Sequence, residues 1–600
     1  MPINREDIFQ INENKVWFQK WWPENVPKNT IFEEKTLNEV LDEQVEKYKD
    51  KNLIWFLHTW VSYKQFQDYV KRFATALYEL GIRKGDVVAM HLPNSIQYVV
   101  AYYAITRIGA IVSGINPTYK TMEILHQLDI IKPKILIALD SLYKDDVRPI
   151  INKSSIEKVI YTNVADLAHG LGFKRVLGKI FKKIPTGKVE FPGAIKFTDL
   201  LLTEPNVPEV KIDVRKDPAT YIMTGGTTGV PKAAVLTHFN VYTNAFQSKL
   251  WLGGEEPKLG NIGVMPLFHS FAHTVVMNTT IIFGGWMMLF PRPPPTEELL
   301  EMIEKLSTKR GFAYVGAEIL FRRLAEFSEM HKFPGVMGKL ILCISGAGPL
   351  HKSVRDAFVN NTEGNLVEGY GLTEASPVVC AGNLFGESPD GVIGLPYPGT
   401  EWGIWPIEDF DKGPICLGDP NEKHYGEEYI GELCVHGPQV MLEYLNQPQE
   451  TNEVFREYDG KIWLLTGDIG YMNEDGTVVL KDRKKELIKV KGYSVFPKEV
   501  EKLLMKHPEI SEAAIAGIPH DEFGEVVKAW IKLTPDSQLS LDEIKKWVDN
   551  NITHYKRPYY IDIIKDIPKN IIGKVQRRIL QINDPTYRDR YGEPKEQDKL

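Results

Sequence analysis

Between residues 62 and 139 the apolar pattern switches back and forth between helical and strand-like. "SYKQFQDYVKRFATALYELGI" spaces its apolar residues as a helix does and stops at a glycine, "DVVAMHL" reads as a strand, "SIQYVVAYYAITRIGA" as a helix and "KILIAL" as another strand. Strands linked through helices lie parallel in a sheet, with the helices covering its faces. The pattern therefore predicts an α/β fold, and it returns in "KLILCIS" at 339–345 and "NLVEGYG" at 365–371. From about residue 391 short strands and turns predict a β-rich subdomain. After "KDRKKELIKVKGYSVFP" a compact α+β pattern runs to about 580, and the tail "DPTYRDRYGEPKEQDKL" reads as disordered. Six hundred residues are too many for one core. The charged "KDRKKE" run, read as exposed, sets the expected division into a large domain over 1–482 and a small α+β domain over 483–600.

Composition removes several classes. A net charge of −7 gives no overall reason to expect nucleic acid as a partner. Cys343, Cys380, Cys416 and Cys434 are scattered without CxxC spacing, which points to neither zinc nor a disulfide framework and suits a reducing compartment. The first residues, "MPINREDIFQINENK", lack the apolar stretch of a signal peptide, and the expected location is the cytoplasm. "TVVMNTTIIFGGWMMLFP" is interrupted by Asn278, threonines and two glycines, so it reads as buried helix and strand.

The loop in "YIMTGGTTGVPKAAVLTH" (221–238) carries Gly225, Gly226, Thr227, Thr228, Gly229 and Lys232 after Thr224. Glycines admit backbone N–H groups close to a ligand, and hydroxyls with one lysine suit phosphate oxygens. It is not a Walker loop, because Pro231 precedes the lysine and Ala233 follows it. Taken alone, it reads more readily as a glycine turn between a strand and a helix.

Four further motifs follow in order: "EGYGLTE" at 368–374, "LLTGDIGYMNEDG" at 464–476, "DRKKELIKVKGYSVFPKEVE" at 482–501 and "PKNIIGKVQRR" at 568–578. Together with the loop they closely resemble the adenylate-forming superfamily of acyl-CoA synthetases, luciferases and peptide-synthetase adenylation domains, from roughly residue 35 to 585. The resemblance implies a large α/β domain with mostly parallel sheets, a β-rich subdomain and a small mobile C-terminal domain. It also implies ATP and coenzyme A as co-substrates with Mg²⁺. Residues 224–229 and Lys232 would surround the β- and γ-phosphates, Thr373 the α-phosphate, and Glu374 with Thr228 the metal. Tyr370, Gly346, Ala347, Glu368, Gly369 and Gly371 would form the adenine pocket, and Asp468 and Arg483 would hold the ribose. Lys574 would act in adenylation and Lys485 as hinge, while Lys489, Gly492 and Tyr493 would serve thioester formation.

"TGGTTG", "EGYGLTEASPVV", "GELCVHGPQVMLEYLNQP" and "DGKIWLLTGDIGYMNEDGTVVLKDRKK" resemble bacterial long-chain fatty-acid–CoA ligases. A medium-chain or aryl acid–CoA ligase, and an enzyme loading a carrier protein, remain the alternatives. "MPLFHSFAHTVVMNTTIIFGG" and residues near 314–318 and 345–350 would line the acyl pocket, with His269 at the pocket as a catalytic residue beside Thr373, Glu374 and Lys574, and Gly284, Gly285 and Gly346 leaving space. Departures from the pattern are Ala233, the reordered "SGAGPL", "VGAEIL" without its proline, and His273 where one long-chain relative carries a tryptophan gate. Finally, "GFKRVLGKIFKKIP" at 172–185 sets an apolar stripe among five basic residues. That composition suits an interfacial helix on an anionic membrane and, equally, a helix packed on the protein.

Overall fold

The computed structural model describes residues 9–172, 178, 184–224, 231–254, 258–307, 309–490, 493–520, 524–569 and 575–591. The chain divides into two compact units. The first comprises residues up to Thr224, Pro231–Glu401 and His436–Leu464, and the second is mainly Trp402–Val435 and Leu465 onward.

Two large sheets build the first unit. One runs, in spatial order, Leu395–Pro396, Val378–Ala381, Leu366–Gly371, Leu340–Ser345, Phe312–Gly316, Gly260–Gly263, Trp286–Leu289, Asn52–Phe56 and Thr59–Ser62. Its six central strands are parallel, and antiparallel strands border it on both sides. In the other, Val87–His91, Ile111–Gly114, Ile135–Leu139, Lys158–Thr162, Ile195–Lys196 and Pro218–Thr224 are parallel, and Lys232–Thr237 and Glu443–Tyr444 add antiparallel strands at one side. This is the mostly parallel α/β architecture that the alternation predicts.

The helices start where the sequence marks them. Ser62 caps Tyr63–Glu79 through the Gln65 N–H, and the chain leaves that helix through Gly81 at φ +97°, open to glycine at little cost. Thr36 with Glu39 forms a capping box on Leu37–Tyr48. Trp55, Trp286, Phe312, Tyr314, Phe321 and Phe358 fill the core beside the first sheet. The apolar stretch 274–291 becomes a π-helix (Ala272–Asn278), a short helix (Thr279–Phe283) and a strand, all buried.

The second unit holds a smaller sheet of Tyr493–Val495, Ile488–Val490, Gly524–Leu533 and Ile510–His520, with Tyr560–Ile563 parallel to Gly524–Leu533. Val500, Leu504, Ile515, Ile531 and Ile544 form its core.

Four sequence expectations need correcting. The glycine loop joins two antiparallel strands, Pro218–Thr224 and Lys232–Thr237, and not a strand to a helix. Gly284 and Gly285 leave no space: a Cβ on Gly284 would meet the Tyr48 ring at 2.5 Å, and one on Gly285 would meet the Leu259 carbonyl oxygen at 2.6 Å. The "KDRKKE" run is not a solvated turn, since Asp482 is buried and Lys481, Arg483, Lys484 and Glu486 are all ion-paired. The start of the tail is ordered, for Pro585–Tyr591 is a helix anchored by buried Asp584, which pairs with Lys528 and accepts from the Thr586 N–H. The amphipathic stripe lies almost wholly outside the described residues. No helix among the described residues is long and apolar enough to cross a membrane.

His91, His238 and His273 are buried in the first unit, and burial pushes their imidazoles down, the first two to about 4 and His273 to about 3. The unfolded chain takes up protons at these sites near pH 6.5, whereas the folded chain does not until about pH 4. Their contribution to stability is therefore complete above about pH 6.5 and falls as pH drops toward 4. Urea midpoints followed across that window should decline, and His238→Gln should flatten the slope by about one proton. An unchanged slope would show that His238 is already protonated in the fold.

Candidate active site

Strands Phe312–Gly316 and Leu340–Ser345 end level beside Glu368 of Leu366–Gly371, with Gly316, Ser345 and Glu368 side by side. The Gly346 N–H donates to the Gly316 carbonyl at 2.8 Å. α/β sheets receive ligands at this carboxyl edge. Gly346, Ala347, Glu368, Gly369, Tyr370 and Gly371, predicted for the adenine pocket, all lie along it. A Cβ on Gly369 would sit 2.6 Å from Ile344 Cγ2 and one on Gly371 2.1 Å from the Pro377 carbonyl oxygen, so neither position admits a side chain. Ala347 adopts φ +65°, a left-handed conformation that favours glycine, so the reordered "SGAG" places an alanine under strain there.

Two carboxylates hold the loop after Ser345. Glu368 Oε2 accepts from the Leu350 N–H at 3.2 Å. Glu318, in the segment without its proline, accepts from the His351 N–H at 2.7 Å and meets His351 Nδ1 at 2.6 Å. Burial acts to raise the Glu318 carboxyl, but hydrogen bonds from His351 and Arg322 outweigh it and hold the group at about 2.

The phosphate-side residues converge on one tyrosine. Thr373 and Glu374 occupy the single turn Thr373–Ala375. Tyr444 Oη donates to Glu374 Oε1 at 2.7 Å, and the Met441 N–H donates to the Glu374 carbonyl at 2.7 Å. The Tyr444 ring faces Lys232 Nζ, 5.0 Å from its centroid, and Lys232 is ion-paired with Glu450. Lys232 and Thr224 are register partners at the mouth of the hairpin. Thr373 Oγ1 lies 3.3 Å from Ser270 Oγ. Gly225, Gly226, Thr227, Thr228 and Gly229 lie outside the described residues. Sequence reasoning missed Tyr444, Glu450 and Ser270. Tyr444 follows Glu374 by 70 positions and Glu450 follows Lys232 by 218, distances no local pattern bridges.

His269 stands just before the π-helix, and its Nδ1 accepts from the Phe271 N–H at 3.3 Å. Burial pushes the imidazole down to about 4, so at neutral pH it is uncharged, with its proton on Nε2. It can orient a substrate but supplies no positive charge.

In the second unit Asp468 and Arg483 face each other across an antiparallel pair, with Arg483 Nε 2.7 Å from Asp468 Oδ1. Lys485 is exposed in the turn Lys484–Glu486. Lys489 is exposed too, its Nζ 2.8 Å from Glu408 Oε1. Tyr493 opens the strand Tyr493–Val495. Gly492 and Lys574 fall outside the described residues. Lys569 and Val575 form an antiparallel bridge, and the Gln576 N–H donates to the Pro568 carbonyl at 2.9 Å.

Arg577 lies two residues past that bridge, within the last motif, and its partners are distant in sequence. Its Nη2 lies 2.8 and 2.7 Å from the two Glu501 carboxylate oxygens, and its Nη1 lies 2.8 Å from Glu486 Oε2, beside Lys485. Arg577 and Glu501 are each about nine-tenths buried. Arg577→Met strands a buried carboxylate, so urea denaturation should show a loss of about 3–5 kcal/mol. Adding Glu501→Gln should recover part of it, and a loss below about 1 kcal/mol would mean that water reaches the pair.

Comparison with known proteins agrees with this layout. The AMP-binding enzyme family matches residues 41–445 and its C-terminal domain residues 499–574. The chain is 33% identical to a long-chain-fatty-acid–CoA ligase of Bacillus subtilis over 95% of its length and 98% of that protein's. It is 33% identical to one of Salmonella typhimurium over 94% and 98%. Among solved structures, ATP-bound MatB from Rhodopseudomonas palustris superposes with a TM-score of 0.74 at 24% identity, over 93% of this chain and 99% of that one. The chain belongs to the AMP-binding enzyme family.

Proposed function

We propose that the protein is an ATP-dependent acid–thiol ligase that joins a long-chain fatty acid to coenzyme A through an acyl-adenylate. The observation that carries this reading is the meeting of Lys232 and Glu374 on Tyr444, with Thr224 opposite Lys232 in register and Thr373 next to Glu374. A substrate carboxylate oxygen attacks the α-phosphorus of ATP, the bond to the β-phosphate breaks, and pyrophosphate leaves. The CoA sulfur then attacks the acyl carbonyl and AMP departs. Both steps gather negative charge, so positioned cations and N–H groups matter most.

Lys232 is the cation for the β- and γ-phosphates and exchanges Glu450 for them when ATP binds. The hydroxyl of Thr373 serves the α-phosphate. Glu374 fits Mg²⁺, which commonly takes one or two carboxylates plus phosphate oxygens, and Tyr444 fixes the orientation of that carboxylate. Bound there with Thr228, the ion neutralises phosphate charge. Tyr370 packs on adenine, and Asp468 with Arg483 binds the ribose hydroxyls. Lys574 bridges the carboxylate and α-phosphate during adenylation. Residues 483–600 form a domain that pivots at Lys485 and brings Lys489, Gly492 and Tyr493 to the thiol.

Pyrophosphate release across a panel of long-chain, medium-chain and aryl acids, with and without CoA, tests this reading. Long-chain acids should give the highest kcat/KM, and release without CoA should stop near one equivalent. Lys574→Ala should cut adenylation by about 10²–10³ while sparing thioester formation from supplied acyl-adenylate. Equal loss in both half-reactions refutes the two-face reading, and sustained turnover without CoA refutes the ligase.

Long-chain acids partition into bilayers, and we assign the 173–184 stripe to reversible contact with an anionic membrane surface. Each basic residue near such a surface gains about 1 kcal/mol. The protein should sediment with anionic vesicles at low salt. Changing Lys179, Lys182 and Lys183 to Glu should abolish this without slowing turnover of a short, water-soluble acid. Equal sedimentation of both proteins would make the stripe ordinary packing.

A further inference from the structure

His273 is fully buried, and neither ring nitrogen has a hydrogen-bond partner among the described residues. Its ring stands edge-on to Tyr102, with centroids 4.7 Å apart. The Tyr102 hydroxyl faces the Asn278 side chain, whose amide nitrogen is the one group that answers it. The other end of that amide is engaged, since Tyr103 Oη donates to Asn278 Oδ1 at 3.1 Å. Both imidazole nitrogens thus go unanswered, beside a hydroxyl and an amide nitrogen that have only each other. Native interiors keep such atoms rarely, because each loses its hydrogen bond to water on folding.

Two facing elements create the cluster. Tyr102 belongs to the buried helix Ile96–Arg107, while His273 and Asn278 belong to the π-helix Ala272–Asn278. A π-helical turn closes between residues five apart, which brings positions 273 and 278 to one side. The π-helix begins one turn past His269, for the His273 N–H donates to the His269 carbonyl at 3.0 Å. It is tied to the reaction segment, because Thr274 Oγ1 donates to the Ser376 carbonyl at 2.6 Å and Ser270 meets Thr373. The cluster therefore lies on the stretch that the ligase reading assigns to the acyl chain, one turn deeper than His269.

The chemistry of the set is specific. Burial keeps His273 neutral at ordinary pH, so it offers one donor and one acceptor. Tyr102 adds a hydroxyl that donates or accepts, and Asn278 adds an N–H donor. The set carries no charge, so it suits neither a carboxylate nor an ammonium group, whose desolvation it would leave uncompensated. A purely aliphatic tail leaves both imidazole nitrogens unanswered.

We propose that His273, Tyr102 and Asn278 form a polar subsite within the acyl pocket that receives a neutral oxygen, a hydroxyl or oxo group, carried on the chain of the acid substrate. The inference rests on the ligase reading and refines its substrate class from plain to oxygen-bearing fatty acids. A hydroxyl there answers the imidazole and the tyrosine together, and an oxo group accepts from Asn278 or Tyr102.

The test measures pyrophosphate release in the presence of CoA for pairs of acids of equal length, one plain and one with a hydroxyl or oxo group, the position of the oxygen being varied along the chain. At one position the wild type should favour the oxygenated acid, and His273→Phe should lower the ratio of kcat/KM values by about ten-fold or more. Tyr102→Phe removes only a hydroxyl and should lower the same ratio, which guards against a folding defect in the histidine variant. If plain acids are turned over and the ratio is the same in all three proteins at every position, the cluster holds water alone and the subsite is refuted. If no acid of either kind releases pyrophosphate, the ligase reading falls and takes the subsite with it.

Discussion

Parallel pairing that sets Gly316, Ser345 and Glu368 level with one another is the constraint on which the adenine side of the site depends. Two of these strands turn away at that edge while the third runs on to Gly371 beside them. Backbone must then pass close to backbone. That is why Gly369 and Gly371 cannot carry a Cβ, and why the Gly346 N–H is already spent on the Gly316 carbonyl. Replacing either strand glycine would push apart the strand pairing that creates the edge.

The phosphate side uses a different principle. Its charged groups are brought together by a short added strand, Glu443–Tyr444, whose Tyr444 stands opposite Ala234 in register. From there one ring touches Lys232 by its face and Glu374 by its hydroxyl, so a cation and a carboxylate share one rigid intermediary. Glu450 completes the arrangement by neutralising the half of the site that otherwise holds a buried lysine charge. On the proposed reading this ion pair opens for phosphate, so the lysine charge is balanced both when the site is empty and when it is filled.

Arg577 plays the equivalent part in the second unit. It ties the chain just past the Lys569–Val575 bridge to Glu501 and to Glu486, next to the proposed hinge at Lys485. A bidentate, buried arginine pair holds geometry more firmly than exposed pairs such as Lys489–Glu408, which solvent screens. The chain thus places its rigid contacts beside that bridge and leaves its exposed ones where a change of partner costs little.

The sequence by itself determined the fold class and the ordered motifs. Alternating periods at 62–139 define strands and helices because periodicity is a local property, and Ser62, Thr36 and Gly81 mark ends within a turn of where they act. The motifs were legible for a related reason: loop chemistry is carried by neighbouring residues. What the tertiary structure alone decided is everything that joins distant segments. Tyr444 against Glu374, Arg577 against Glu501, and Tyr102 against His273 leave no trace in local spacing. The same limit misled the reading of Gly284 and Gly285, of the "KDRKKE" run and of the tail. A glycine's lack of a side chain, a run of charges and a polar terminus look alike whether they face solvent or a partner. Only the partner, supplied by the fold, distinguishes the two.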